Sequence, residues 1–287
     1  MKKALSLFVL ILASAAGTLS HLGAESNYVA EARFWKARAF SQQIVASPDT
    51  TPPFVFKKAR GQFEEILKDY PDKPPLVKES LLSIAGLMVH EKKYQEARDF
   101  LNKVRKDYPD DQTFRAKTQF LTGFSYEKEG DWERALKEYR ILRDQYAKSQ
   151  LGLEVPLYIA RHDVKEDSQK GAERYAEAAA YYRRLAEENP KTPLKFYALN
   201  YMLAVYEEQK KWDESLTSIE EIILAFPKSI RLYVPKIEAF SRRIKQPERA
   251  AAIYQSFLQS YPDHKDATVL KKRMERMRKR SPRNVSG

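Results

Sequence analysis

Residues 132–147 read WERALKEYRILRDQYA, and five other stretches align with them without a gap: FKKARGQFEEILKDYP from Phe56, YQEARDFLNKVRKDYP from Tyr94, YAEAAAYYRRLAEENP from Tyr175, WDESLTSIEEIILAFP from Trp212 and PERAAAIYQSFLQSYP from Pro247. Their starts are separated by 38, 38, 43, 37 and 35 residues. Three residues after each start stand Ala59, Ala97, Ala135, Ala178, Ser215 and Ala250; seven after, Phe63, Leu101, Tyr139, Tyr182, Ile219 and Tyr254; ten after, Ile66, Val104, Leu142, Leu185, Ile222 and Phe257. At ~100° per residue these offsets fall within about 80° of one another, the apolar stripe of an α-helix. The small residue admits a neighbouring helix, the large ones fill the space beside it, and Pro71, Pro109, Pro190, Pro227 and Pro262 mark where most of these helices stop.

Between the stretches lie second apolar-periodic runs, such as Leu81, Ile84, Ala85 and Met88, or Leu199, Met202, Leu203 and Tyr206. Each unit therefore reads as a helix A, a short turn, the helix B quoted above, and a proline-bearing turn onward. Gly130 in EKEGDW marks one A–B turn. In the first unit, helix A spans about Ser26 to Ala46 and meets helix B across the longer SPDTTPP. KEDSQKGAE gives the fourth unit extra length and reads as a polar surface loop. The expected fold is all-α: a right-handed superhelical solenoid of about six antiparallel helix pairs closed by a C-terminal capping helix.

The small and aromatic residues of helix A (Gly123, Tyr126), the alanine and aromatic of helix B (Ala135, Tyr139) and the terminal Pro109 or Pro227 together resemble the tetratricopeptide repeat family, over about residues 27 to 262. The resemblance implies a solenoid that captures a peptide or protein in a concave groove lined by A helices. Aligning the A helices by register places Leu82, Phe120, Phe124, Tyr158, His162, Tyr197 and Asn200 on that face. Aromatics offer large contact area at low entropic cost, which makes these the expected partner-binding residues. Lys117 and Glu207 lie near them as charges that ordinary helix surfaces leave solvated. The fixed Lys and Asn set of carboxylate-clamping members is absent at Leu82, Phe120 and Tyr197, so no carboxylate clamp is expected.

Composition removes several other chemistries. The 287 residues include no cysteine and only 9 glycines, with no GxGxxG or P-loop stretch, so disulfides, cysteine metal sites, thiol nucleophiles and nucleotide cradles lose their support. The four histidines, His21, His90, His162 and His264, lack metal spacing. His162 and Asp163 are chain neighbours, which on a helix point apart, and Glu220 with Glu221 reads as a solvated helix face. No catalytic constellation, metal or cofactor is expected.

The formal charge of +12 is concentrated at the ends. Nine basic and two acidic side chains lie in residues 265–287, and Lys2 and Lys3 in a leader, which leaves +3 on the body. Leu270, Met274 and Met277 at helical spacing make the tail a capping helix, with Lys271, Lys272, Arg273, Arg276, Arg278, Lys279 and Arg280 on its other faces. Such cations suit an anionic lipid or envelope polymer; without interleaved aromatics, nucleic acid is disfavoured. Asn284-Val285-Ser286 fits a glycosylation acceptor.

Residues 1–24, MKKALSLFVLILASAAGTLSHLGA, have the basic start, the apolar run from Ala4 to Ala13 and the small residues of a secretory signal peptide, with cleavage after Ala15, Gly17 or Ala24. The run is short for a membrane anchor. The expected organisation is a signal peptide over 1–24, the repeat solenoid over 25–263, and a basic capping helix with a disordered tail over 264–287. The expected function is a non-enzymatic interaction scaffold, exported to the periplasm or another extracytoplasmic space of a bacterial cell envelope. The alternatives are an anionic-surface binder acting through the tail and an accessory subunit of a cell-wall or protein-export enzyme.

Overall fold

The computed structural model describes residues 25–166 and 168–280. The leader and the last seven residues, with Arg283 and the Asn284 acceptor, lie outside the described residues, as does the side chain of Arg280. The described residues hold thirteen α-helices, two short 3-10 turns and no strand. They are α1 (Glu25–Ala46), α2 (Pro53–Asp69), α3 (Pro74–His90), α4 (Tyr94–Asp107), α5 (Gln112–Glu129), α6 (Trp132–Gln145), α7 (Gln150–Glu166), α8 (Ser168–Glu188), α9 (Pro193–Glu208), α10 (Trp212–Ala225), α11 (Ile230–Arg243), α12 (Pro247–Ser260) and α13 (Ala267–Arg280). The six aligned stretches are α2, α4, α6, α8, α10 and α12; within the first unit α1 to α6 each pack on the next helix, and within the second α8 to α13 do.

The chain forms two compact units, one ending at Gly152 and one beginning at Leu153. In both, the B-helix stripe is the core: Ala59, Phe63, Leu101, Ala135, Tyr139 and Leu142 in the first unit, and Tyr182, Ile219, Ile222, Ala250, Tyr254 and Phe257 in the second, are sealed from solvent. Hydrophobic burial of this stripe supplies the stacking force, since each fully covered large side chain contributes about 1.5–3 kcal/mol.

Local chemistry fixes where the helices end. Lys92, Gly130, Lys210 and Lys245 each stand two residues before a B helix with φ of 66°, 91°, 57° and 58°. In each turn the left-handed residue donates to a carbonyl three back, and the next residue donates to one five back: Lys92 to Val89 and Lys93 to Met88, Gly130 to Glu127 and Asp131 to Tyr126, Lys210 to Glu207 and Lys211 to Tyr206, Lys245 to Arg242 and Gln246 to Ser241. This double bond pattern satisfies the orphan carbonyls of an ending helix. At these B ends an aromatic is the cap, before proline at Tyr70, Phe226 and Tyr261 and before Ala147 at Tyr146; all four still donate their N–H to the fourth residue back, at 2.8–3.1 Å.

The fourth unit departs from the expected loop. KEDSQKGAE extends helices, with α7 running to Glu166 and α8 starting at Ser168, which gives α8 21 residues against 14 in α4, α6, α10 and α12. Gly171 permits this, because a Cβ there would stand 2.4 Å from the Cα of Val164. Arg174 then ties the added turns to α7 by donating from Nε to Asp163 at 3.0 Å.

Candidate interaction face

The helix neighbourhoods differ between the two units. In the first, A helices touch the next A helix closely, α1 to α3 and α3 to α5; in the second, the B helices α10 and α12 come close, and side-chain bonds link the A helices. Close A helices close the face they carry. Leu82 on α3 and Phe120 and Phe124 on α5 are 3%, 2% and 3% exposed. Phe120 stacks on Phe124 at 6.1 Å and packs on Tyr139 at 5.7 Å, while Phe124 lies 6.0 Å from His90 with Lys128 over its ring at 5.1 Å. These three side chains are packing residues and present no surface to a guest, which corrects the reading of them as groove residues.

Charges complete that closure. Lys117 pairs with Glu79 across α5 and α3, both nearly buried, so Lys117 is not a solvated charge. Arg38 on α1 is buried near Glu79, and burial lowers its pKa while Glu79 offsets part of the effect. Arg98 on α4 reaches the C-terminal end of α5, bonding Glu129 at 2.8 Å and covering the Tyr126 ring at 4.2 Å. Arg60 on α2 makes the corresponding bond to Glu91 at the end of α3.

In the second unit the A-helix residues stay accessible. Tyr158 and His162 on α7 are half-buried. Tyr197 on α9 is 52% exposed, braced edge-on by Phe196 at 6.0 Å. Leu232 on α11, 69% exposed, stands 35 residues after Tyr197, the spacing of the last two units, and so holds the same register position. Sequence alignment missed it; the same column that gave Tyr197 contains it.

Asn200 is a tie between helices rather than a free contact. Its Oδ1 accepts from the Tyr233 hydroxyl at 2.6 Å, and its Nδ2 donates to the Phe196 carbonyl at 2.8 Å. Burial raises the Tyr233 hydroxyl above its ordinary pKa, and this bond offsets part of the effect. Glu207 pairs with Lys236 on α11, and both side chains keep part of their surface in solvent. Arg161 on α7 forks onto Glu208 on α9 at 2.9 and 3.0 Å, and the Tyr175 hydroxyl donates to the same carboxylate at 2.7 Å. Glu221 pairs with Arg183 and Glu220 with Arg249, so these carboxylates link successive B helices rather than facing water alone.

His162 and Asp163 do meet. His162 Nδ1 lies 3.2 Å from Asp163 Oδ1, and Asp163, buried, also receives Arg174. Among the described residues no group of three or more His, Asp or Glu side chains is placed to hold a metal ion.

At the C-terminal end, α13 buries Leu270 and Met277 against α12, with Met274 half-buried. Asp266, just before α13, is held well below the usual carboxylate range by Arg231, whose Nε donates at 2.7 Å. Lys271, Lys272, Arg276, Arg278 and Lys279 are exposed. Arg273 is bound to Glu238 and Arg278 donates to Gln255 at 2.7 Å, which takes Arg273 out of the expected anion-facing set. No described helix is long and apolar enough to cross a membrane.

Stacked A–B helix pairs with an exposed A-helix face define a helical-repeat protein of the interaction type. Tetratricopeptide repeat family models match residues 79–111, 117–149 and 238–264, and a second such model matches residues 167–230, so the chain belongs to the tetratricopeptide repeat family. Proteins of this family mediate protein–protein interaction and scaffolding. No curated protein matches the sequence. Among solved structures it is similar to the TPR2AB-domain:pHSP90-complex of yeast Sti1, at 15% identity and a TM-score of 0.34 over 88% of this chain and 99% of that one. It is also similar to the APC/C hetero-tetramer Cut9-Hcn1, at 15% identity and a TM-score of 0.31 over 92% of this chain and 55% of that one.

Proposed function

We propose that the protein is a non-enzymatic scaffold that captures an apolar or aromatic segment of a partner protein on the A-helix face of its second unit. The supporting observation is the pair Tyr197 and Leu232, exposed at one register position of successive A helices. An exposed, braced aromatic and an exposed aliphatic each bury area at small entropic cost. The leader-like sequence of residues 1–24 supports an extracytoplasmic envelope compartment for this activity.

A photoreactive amino acid at position 197, with Glu187 on the exposed side of α8 as control, tests the reading. Partner capture at 197 and not at 187 supports it; equal capture at both sites removes it. Fractionation of cells expressing the tagged chain tests the compartment, and recovery in the cytoplasm alone overturns that part.

The exposed cations of α13 support a second reading, attachment to an anionic envelope surface. Lys271, Lys272, Arg276 and Lys279 have no side-chain partner among the described residues. Deleting the helix would uncover the core it buries, so the fitting variant replaces these four by Gln. Loss of salt-sensitive envelope association in that variant would assign the attachment to α13.

A further inference from the structure

Helix α1 carries two apolar faces. One, formed by Ala30, Phe34, Ala37 and Ile44, is buried in the first unit. The other lies opposite and runs Tyr28, Ala32, Trp35, Ala39, at helical spacing and about 60° wide. All four are exposed, Tyr28 at 71% and Trp35 at 38%. Surface helices of repeat ends ordinarily turn a polar face outward. This one bears no charge along its outward stripe, and the repeat-family matches do not reach this helix pair.

The order of sizes along the stripe is large, small, large, small. We infer that α1 is a self-association surface, pairing antiparallel with α1 of a second copy about a two-fold axis between positions 33 and 34. In that register Tyr28 meets the partner's Ala39 and Ala32 meets the partner's Trp35, so every ring faces a methyl group on both sides of the axis. Parallel pairing would set ring on ring and methyl on methyl, leaving alternating clashes and gaps. Trp35 is already held in place, with the Arg38 guanidinium 4.9 Å from its ring centroid and the edge of Phe34 at 5.7 Å, so docking orders little that is not ordered already. The four aromatic side chains, already partly covered, bury less than the ~1,200 Å² of a standard specific interface, which makes the dimer weak and concentration-dependent. The surface shares no residue with the Tyr197 face.

The full chain tests this by sedimentation over a concentration series and by single-cysteine cross-linking, which the absence of natural cysteine makes unambiguous. The wild type is expected to pass from monomer to dimer, and Ala32→Glu to need at least tenfold higher concentration while melting like the wild type. In the antiparallel register two copies of Ala32→Cys lie about 4.5 Å apart along the helix axis and two copies of Ala39→Cys about 16 Å apart. A bismaleimide too short for the second distance is therefore expected to link the first variant only. A monomeric wild type, a dimeric Ala32→Glu, or cross-linking of both variants or of neither overturns the inference. So does uptake of a monomeric wild type, but not of Ala32→Glu, by anionic phospholipid vesicles, which would give the face to a membrane.

Discussion

Gly123 on α5 lies flat against the ring of Tyr139 on α6: a Cβ at position 123 would stand 2.6 Å from Cε1 and 2.8 Å from Cδ1 of that ring. Tyr139 is fully buried, and its hydroxyl donates to Glu127 Oε2 at 2.7 Å, so the ring has little room to yield. Gly123→Ala is expected to destabilise the protein by about 1–3 kcal/mol through overpacking. Thermal or urea unfolding measures it, and Gly123→Ala combined with Tyr139→Leu should recover part of the loss. An unchanged midpoint for the single variant would show that the helices can part at no cost.

The left-handed turns give a prediction of opposite sign. Lys92, Lys210 and Lys245 hold the backbone that Gly130 holds without a Cβ. Replacing any one of these lysines by Gly is expected to stabilise the fold by up to about 1 kcal/mol, and Gly130→Ala to cost about the same. Urea midpoints of the four single variants check both directions.

His90 makes stability depend on pH. Burial, with Lys128 adding to it, lowers its pKa to about 4. The unfolded chain therefore takes up this proton first as pH falls from about 6.5, and stability is lost between there and about pH 4, on the order of 3 kcal/mol in all. Asp131, held below the ordinary carboxylate range by the amide and guanidinium of Arg134, retains its contribution through most of that window. Unfolding free energies at pH 7 and 4.5 should differ in the wild type and converge in His90→Gln.

Tyr197 and Leu232 separate binding from folding. Both are exposed, so Tyr197→Ala and Leu232→Ser are expected to shift stability by no more than about 0.5 kcal/mol. Partner recovery should fall at least tenfold in each. A variant that melts normally and retains its partner would exclude that residue from the interface.

The B helices were legible because their constraint is local and repeated. Ala97, Leu101 and Val104, or Ala250, Tyr254 and Phe257, sit on one stripe whatever they pack against, and a helix cannot hide that stripe alone. The A-helix face was legible only as a register. Phe120 and Phe124 share the register of Tyr158 and His162, yet the first pair is buried and the second half-exposed, a difference that no local signal carries. The polar run KEDSQKGAE read as a loop because no apolar stripe marks it, and a single close approach at Gly171 made it helix.

Sequence alone thus determined the B-helix stripes and the alternation of A and B helices, since stripe period and terminating prolines act within a few residues of chain, but not the ends of α7 and α8. Tertiary structure decided which members of a column are core and which are surface, and which charges are paired. Lys117 with Glu79 and Asn200 with Tyr233 lie 38 and 33 residues apart, and whether such groups meet depends on the spacing between whole helices, which packing sets and no local signal encodes.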